Sequence, residues 1–112
     1  MERSCLLLII MKIRRNISKE RLYQGKAVSC IAAWGYSGPD HIERLGPLKP
    51  HGVFLEGEHG NVDPPNISNF TRACDIIGAT PIVRINQNDQ GVIYRTLDLG
   101  ALGIVVPHVN NK

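Results

Sequence analysis

Two kinds of segment alternate along the chain. Short apolar runs bounded by glycine or proline occur at residues 27–34, 53–55, 80–85 and 103–107. Such runs read as strands buried on both faces, as in a parallel sheet. Between them, apolar residues recur at helical spacing. Residues 16–25 form a short amphipathic segment in which Ile17 and Leu22 are apolar, and Gly25 supplies a left-handed end. Ser37 or Gly38 then offers an N-cap, Pro39 fits a first turn, Ile42, Leu45 and Leu48 follow, and Pro47 should end the helix. After the loop at 61–65, Ile67, Phe70, Ala73, Cys74 and Ile77 share one helical face, closed by Gly78. Asn88-Asp89 opens a last helix with Val92, Ile93, Leu97 and Leu99, and Gly100 ends it.

Four strands alternating with helices imply an α/β fold with parallel strands and right-handed crossovers. Units of ~25 residues make about half of a (β/α)8 TIM barrel, which typically needs ~250 residues. A complete four-stranded open sheet of the flavodoxin type is the alternative. A nucleotide-binding version of it is disfavoured, because the chain has neither GxGxxG nor GxxxxGK[ST].

Composition narrows the function classes. The chain has 112 residues, 43% hydrophobic and 21% charged, which suits one small globular domain. Its net charge of +3 is concentrated in Lys12, Arg14, Arg15, Lys19 and Arg21, and the body beyond Lys26 is slightly acidic. No nucleic-acid footprint follows from that distribution. Cys5, Cys30 and Cys74 are too few and too scattered for a disulfide framework or a zinc site, which fits a reducing, cytoplasmic setting. The apolar run at 5–11 is far short of the ~20 residues that cross a bilayer, so no membrane partner is expected. Residues 1–11 read as an N-terminal extension, with Met11 a candidate start, and 12–112 as the folded unit.

Candidate chemistry gathers at the carboxyl end of the second strand, where Val53-Phe54-Leu55 runs into Glu56-Gly57-Glu58-His59-Gly60. Strand carboxyl ends are where α/β folds place their chemistry. The next two units also supply polar groups, Arg84 and Asp98. Taken singly, such a histidine is more often a turn residue, such an arginine a surface charge and such an aspartate a solvated group.

Four strings in register alter that balance: Glu56-Gly57-Glu58-His59-Gly60, Ile82-Val83-Arg84-Ile85-Asn86, Leu97-Asp98-Leu99-Gly100-Ala101 and Gly103-Ile104-Val105-Val106-Pro107-His108-Val109. Together they resemble the HpcH/HpaI aldolase family, the class II metal-dependent pyruvate aldolases of the phosphoenolpyruvate/pyruvate TIM-barrel superfamily. The resemblance runs from about Asn16 to the end, with His59 and Arg84 spaced 25 positions apart and Arg84 and Asp98 14 apart. It implies a lyase that reversibly cleaves a 4-hydroxy-2-oxo acid to pyruvate and an aldehyde. His59 would serve acid–base chemistry, Arg84 would bind the oxo-acid carboxylate, and Asp98 would hold the histidine–arginine cluster. Trp34 would stand at the mouth of the first strand. Glu56 would contribute to substrate binding in place of the family's usual aspartate.

These residue types suit that chemistry. Cleavage leaves a pyruvate enolate, whose charge a divalent metal and a guanidinium stabilise. Arginine pairs with a carboxylate through two parallel bonds, and histidine transfers protons near neutral pH.

The family's metal (magnesium, manganese or cobalt) is held by a glutamate and an aspartate on later strands that have no counterpart here, so no metal ligand is assigned in this chain. The expected protein is therefore an N-terminal half barrel, inactive alone, from a family whose full-length members form homo-oligomers. A non-catalytic half barrel used for binding or dimerisation is the alternative.

Overall fold

The structure is a computed structural model that describes residues 14–33 and 37–111. The 1–11 extension and Trp34 lie outside the described residues. Four strands form one parallel sheet in the order β1-β2-β3-β4: β1 is Cys30–Ala33, β2 Gly52–Glu56, β3 Thr80–Arg84 and β4 Gly103–Val105. Helix α1 (Ile17–Tyr23) precedes β1, and α2 (Pro39–Arg44), α3 (Ile67–Ile76) and α4 (Gln90–Asp98) make the crossovers. The expected alternation is what the chain adopts. The edge strands β1 and β4 are shorter than their apolar runs, and among the described residues each pairs on one side only.

Pairing register divides the sheet into two unlike faces, because successive residues of a strand point opposite ways. Val53, Leu55 and Val83 point outward and are buried with Ile42, Phe70 and Cys74, while Val92, Ile93 and Ile104 pack against that cluster. The helices therefore cover this face. Each such side chain contributes about 1.5–3 kcal/mol on burial. The opposite face carries Ala32, Phe54 and Ile82 in register, and one layer further along Glu56, Arg84 and Val105. It is only partly covered, and Ala32 and Val105 are exposed.

Helix ends follow the expected chemistry. The Asn16 side chain accepts from the Lys19 amide at 3.0 Å and donates to the Leu102 carbonyl at 2.8 Å. Asp89 accepts from the Val92 amide at 2.9 Å. Gly78 and Gly100 end α3 and α4 with φ of +72° and +106°, where a side chain would be strained.

Two details depart from expectation. The second helix stops at Arg44 and gives way to a 3-10 turn at Gly46–Leu48, leaving Leu48 exposed. Pro47 has no amide with which to continue the α pattern. In α4, Leu97 is exposed and Thr96 is buried instead. Thr96 lies four residues beyond Val92, on the stripe facing the sheet, and its hydroxyl donates to the Val92 carbonyl at 2.7 Å.

Candidate active site

The carboxyl ends of β2, β3 and β4 lie side by side, with Glu56 opposite Arg84 and Arg84 opposite Val105. This register decides the site. Glu56 is fully buried on the same face as Arg84, and a carboxylate buried there requires partners. Oε1 accepts from Arg84 Nε at 3.0 Å and from the amides of Glu58 and His59 at 2.7 and 3.1 Å. Oε2 accepts from the Arg84 Nη2 group. Burial by itself would push the Glu56 carboxyl up, but the Arg84 bonds and the two amides outweigh it and hold it below the usual carboxylate range. The same fork raises the Arg84 guanidinium. A two-toothed, charge-assisted pair of this kind fixes a planar guanidinium in one orientation. Arg84 also lies 5.8 Å from the centre of the Phe54 ring.

Two glycines let the loop after β2 fold tightly enough to make these bonds. The Gly57 amide donates to the Arg84 carbonyl at 2.8 Å, and a Cβ on Gly57 would come within 2.5 Å of that oxygen. A Cβ on Gly60 would sit 2.5 Å from the Glu56 carbonyl oxygen. Glycine is needed at both positions because backbone approaches backbone.

Glu58 is the second hub. Its side chain is mostly buried, and Oε2 lies 3.3 Å from Arg84 Nε. His108, just beyond β4, places Nε2 2.7 Å from Glu58 Oε1, and His59 Nε2 stands 3.8 Å from Oε2. The His59 ring is largely exposed on the loop.

Of the residues singled out from sequence, the fold thus gathers Glu56, His59 and Arg84. It does not bring Asp98 to them. Helix α4 runs antiparallel to the strands, so its last residue, Asp98, lies toward their opposite end. Leu102, four residues on, bonds the Pro81 carbonyl at the start of β3. Trp34 lies outside the described residues. Glu58 and His108 stand in the cluster, and sequence reasoning assigned neither a role. The only signal was their membership of the matching strings, since the side-chain link spans two strands. His51 is structural, its Nδ1 accepting from the Ser29 amide at 3.0 Å, while His41 is exposed.

Among the described residues, no three His, Cys, Asp or Glu side chains are placed to share a metal ion. Glu56 is taken up by Arg84 and two amides, and Glu58 by Arg84 and His108. The described cluster does not fit a metal centre. No described helix is long and apolar enough to cross a membrane.

Sequence and structure likenesses extend over most of the chain. The chain is 31% identical over 97 residues to a hydroxypyruvate/pyruvate aldolase of Rhizorhabdus wittichii, covering 86% of this chain and 39% of the relative. It is 31% identical over 103 residues to a pyruvate aldolase of Rhizobium etli, covering 91% and 40%. The crystal structure of an HpcH/HpaI aldolase from Desulfitobacterium hafniense superposes with a TM-score of 0.73 at 26% identity, over 83% of this chain and 36% of that one. Citrate synthase SbnG superposes with a TM-score of 0.77 at 30% identity, over 87% and 39%. No protein-family model matches the chain.

Fold and likenesses together define the first four βα units of a (β/α)8 TIM barrel. Over most of its length the chain is similar to pyruvate-type aldolases and to an HpcH/HpaI aldolase. It spans about two fifths of the length of the curated relatives it matches in R. wittichii and R. etli.

Proposed function

We propose that residues 12–112 carry the oxo-acid-binding half of a pyruvate-type aldolase. The reaction is reversible cleavage of a 4-hydroxy-2-oxo acid to pyruvate and an aldehyde. The observation that carries this reading is the Glu56–Arg84 pair, which presents a rigid guanidinium at the carboxyl end of a parallel sheet. In the proposed reaction Arg84 binds the substrate carboxylate and His59 takes the proton of the C4 hydroxyl. The C3–C4 bond then breaks, its electron pair passing into the enolate of pyruvate as the aldehyde leaves. A proton delivered to C3 completes pyruvate.

The family resemblance calls for a divalent metal, whose Lewis acidity would stabilise the enolate. The described residues form no site for one, so no step here is assigned to it. On this reading the described half binds and orients the oxo acid, and turnover requires the strands that longer relatives supply. We place the protein in the cytoplasm, as its unpaired Cys30 and Cys74 thiols suggest.

A retro-aldol assay with magnesium, manganese or cobalt, beside direct pyruvate binding, tests the reading. The expected result is pyruvate binding that Arg84→Ala abolishes, with no turnover by the isolated chain. Arg84- and metal-dependent turnover would show that the chain completes a site by assembly. Absence of binding by folded protein would refute the oxo-acid assignment.

A second reading, a non-catalytic half barrel that binds a partner or dimerises, draws on the partly covered inner face at Ala32, Phe54, Ile82 and Val105. Among the described residues both sheet edges are unpaired, which adds to it. A defined dimer with no affinity for pyruvate would favour that reading.

A further inference from the structure

The loop after β4 reaches the site through one side chain, His108. We propose that His108 is a positioning residue: through Glu58 it holds the Arg84 guanidinium in the orientation that receives a carboxylate.

Three observations carry this. His108 Nε2 lies 2.7 Å from Glu58 Oε1, an ion-pair contact between a largely exposed ring and a carboxylate that is mostly buried. The other oxygen of that carboxylate lies 3.3 Å from Arg84 Nε, an atom that Glu56 also holds. The Arg84 Nε–H thus donates to Glu56 while Glu58 stands beside it as a second carboxylate at ion-pair distance, so the charge that Arg84 faces depends on where Glu58 stands. Finally, His108 has φ of +53°, in the left-handed region, directly after the buried Pro107. This residue follows β4, whose Val105 pairs with Arg84 of β3.

An exposed ion pair would ordinarily contribute little. Here the acceptor is mostly shielded, and without His108 the Glu58 oxygen that faces it would turn toward water or toward Arg84. The link also ties the edge strand β4 to the β2–β3 pair. The loop after β4 thereby gains influence over the proposed carboxylate subsite without touching substrate.

The inference rests on the reading of Arg84 as the carboxylate ligand, and the test separates the two. On the full chain, the Arg84 Nε–H resonance is identified by its loss in Arg84→Lys, and its solvent exchange is measured by NMR with pyruvate affinity alongside. In His108→Ala, exchange at Arg84 should quicken and pyruvate affinity should fall about 2- to 10-fold, the value of one hydrogen bond. His108→Gln, whose amide N–H can donate to Glu58, should restore both, with the unfolding midpoint unchanged in each variant. An Arg84 resonance indifferent to His108→Ala overturns the proposal. So does a loss that Gln fails to rescue, or one that tracks a loss of stability. If wild-type protein binds no pyruvate while the Arg84 resonance still depends on His108, the function assigned to Arg84 falls and the positioning role stands.

Discussion

The two ends of the parallel sheet are built by different chemistry. At the amino end, α1 seals the strands with neutral hydrogen bonds. Ser18 donates its hydroxyl to the His51 carbonyl at 2.9 Å and its amide to Thr80 Oγ1 at 3.0 Å, and Asn16 bonds Leu102. At the carboxyl end, Glu56, Glu58, Arg84 and His108 form a connected set of charged and titratable groups. Neutral bonds cost little to bury once paired and add modestly to stability. Buried charges are costly unless fully paired, so a fold that keeps them at one end holds them against its own stability interest. That contrast is the barrel pattern, in which the amino end serves stability and the carboxyl end serves chemistry.

The largest expected effect belongs to the frame both ends share. Phe70→Ala in α3 removes a buried ring from the outer-face core. It should cost about 3–5 kcal/mol in urea unfolding and loosen both ends together. A ring resonance set in which only one end responds would break the picture of a single frame.

Gly57→Ala sharpens the contrast from the carboxyl side. The new methyl meets the Arg84 and Val62 carbonyl oxygens at 2.5 and 2.6 Å, so the loop must shift. A loss of about 1–3 kcal/mol is expected, as for overpacking, accompanied by a changed Arg84 environment. Retained stability and an unchanged Arg84 would mean the loop does not position the pair.

Acid should act chiefly at the carboxyl end, since the other carboxyl held low among the described residues, Glu20 of α1 beside Arg15, is partly exposed to solvent. The folded Glu56 carboxyl lies below its ordinary value of 4.5, so the unfolded chain binds more protons in the interval between the two. Its contribution is present above about pH 4.5 and disappears as pH falls through the folded value. Urea midpoints measured from pH 7 downward should fall in that window for wild type and less steeply for Glu56→Gln. Identical slopes would remove Glu56 as the source.

The smallest effect is expected at the amino end. Ser18→Ala should cost about 1 kcal/mol, the net value of one neutral hydrogen bond, and leave pyruvate affinity unchanged. A change in affinity would erase the functional distinction between the ends.

Much of the fold was legible in the sequence because its signals are local. Apolar runs marked four strands, helical spacing marked Ile67, Phe70, Ala73 and Cys74 as a buried face, and glycines marked helix ends at 78 and 100. Proline 47 was legible as a break, but not the 3-10 turn that strands Leu48 in solvent. The site was legible only in part. Glu56, His59 and Arg84 sit at strand ends, where order along the chain predicts position. Asp98 sits at a helix end, and the direction of α4 carries it away from the cluster.

What the sequence determined by itself was the alternation of strands and helices and, through it, a parallel sheet with polar groups at one end. What only the tertiary structure decided was which of those groups meet. Burial and hydrogen-bond register are long-range properties. Glu56 meets Arg84 because β2 and β3 pair with those two residues opposite each other. Glu58 meets His108 because β4 adds beside β3 and is followed by that left-handed residue. No spacing along the chain encodes either contact.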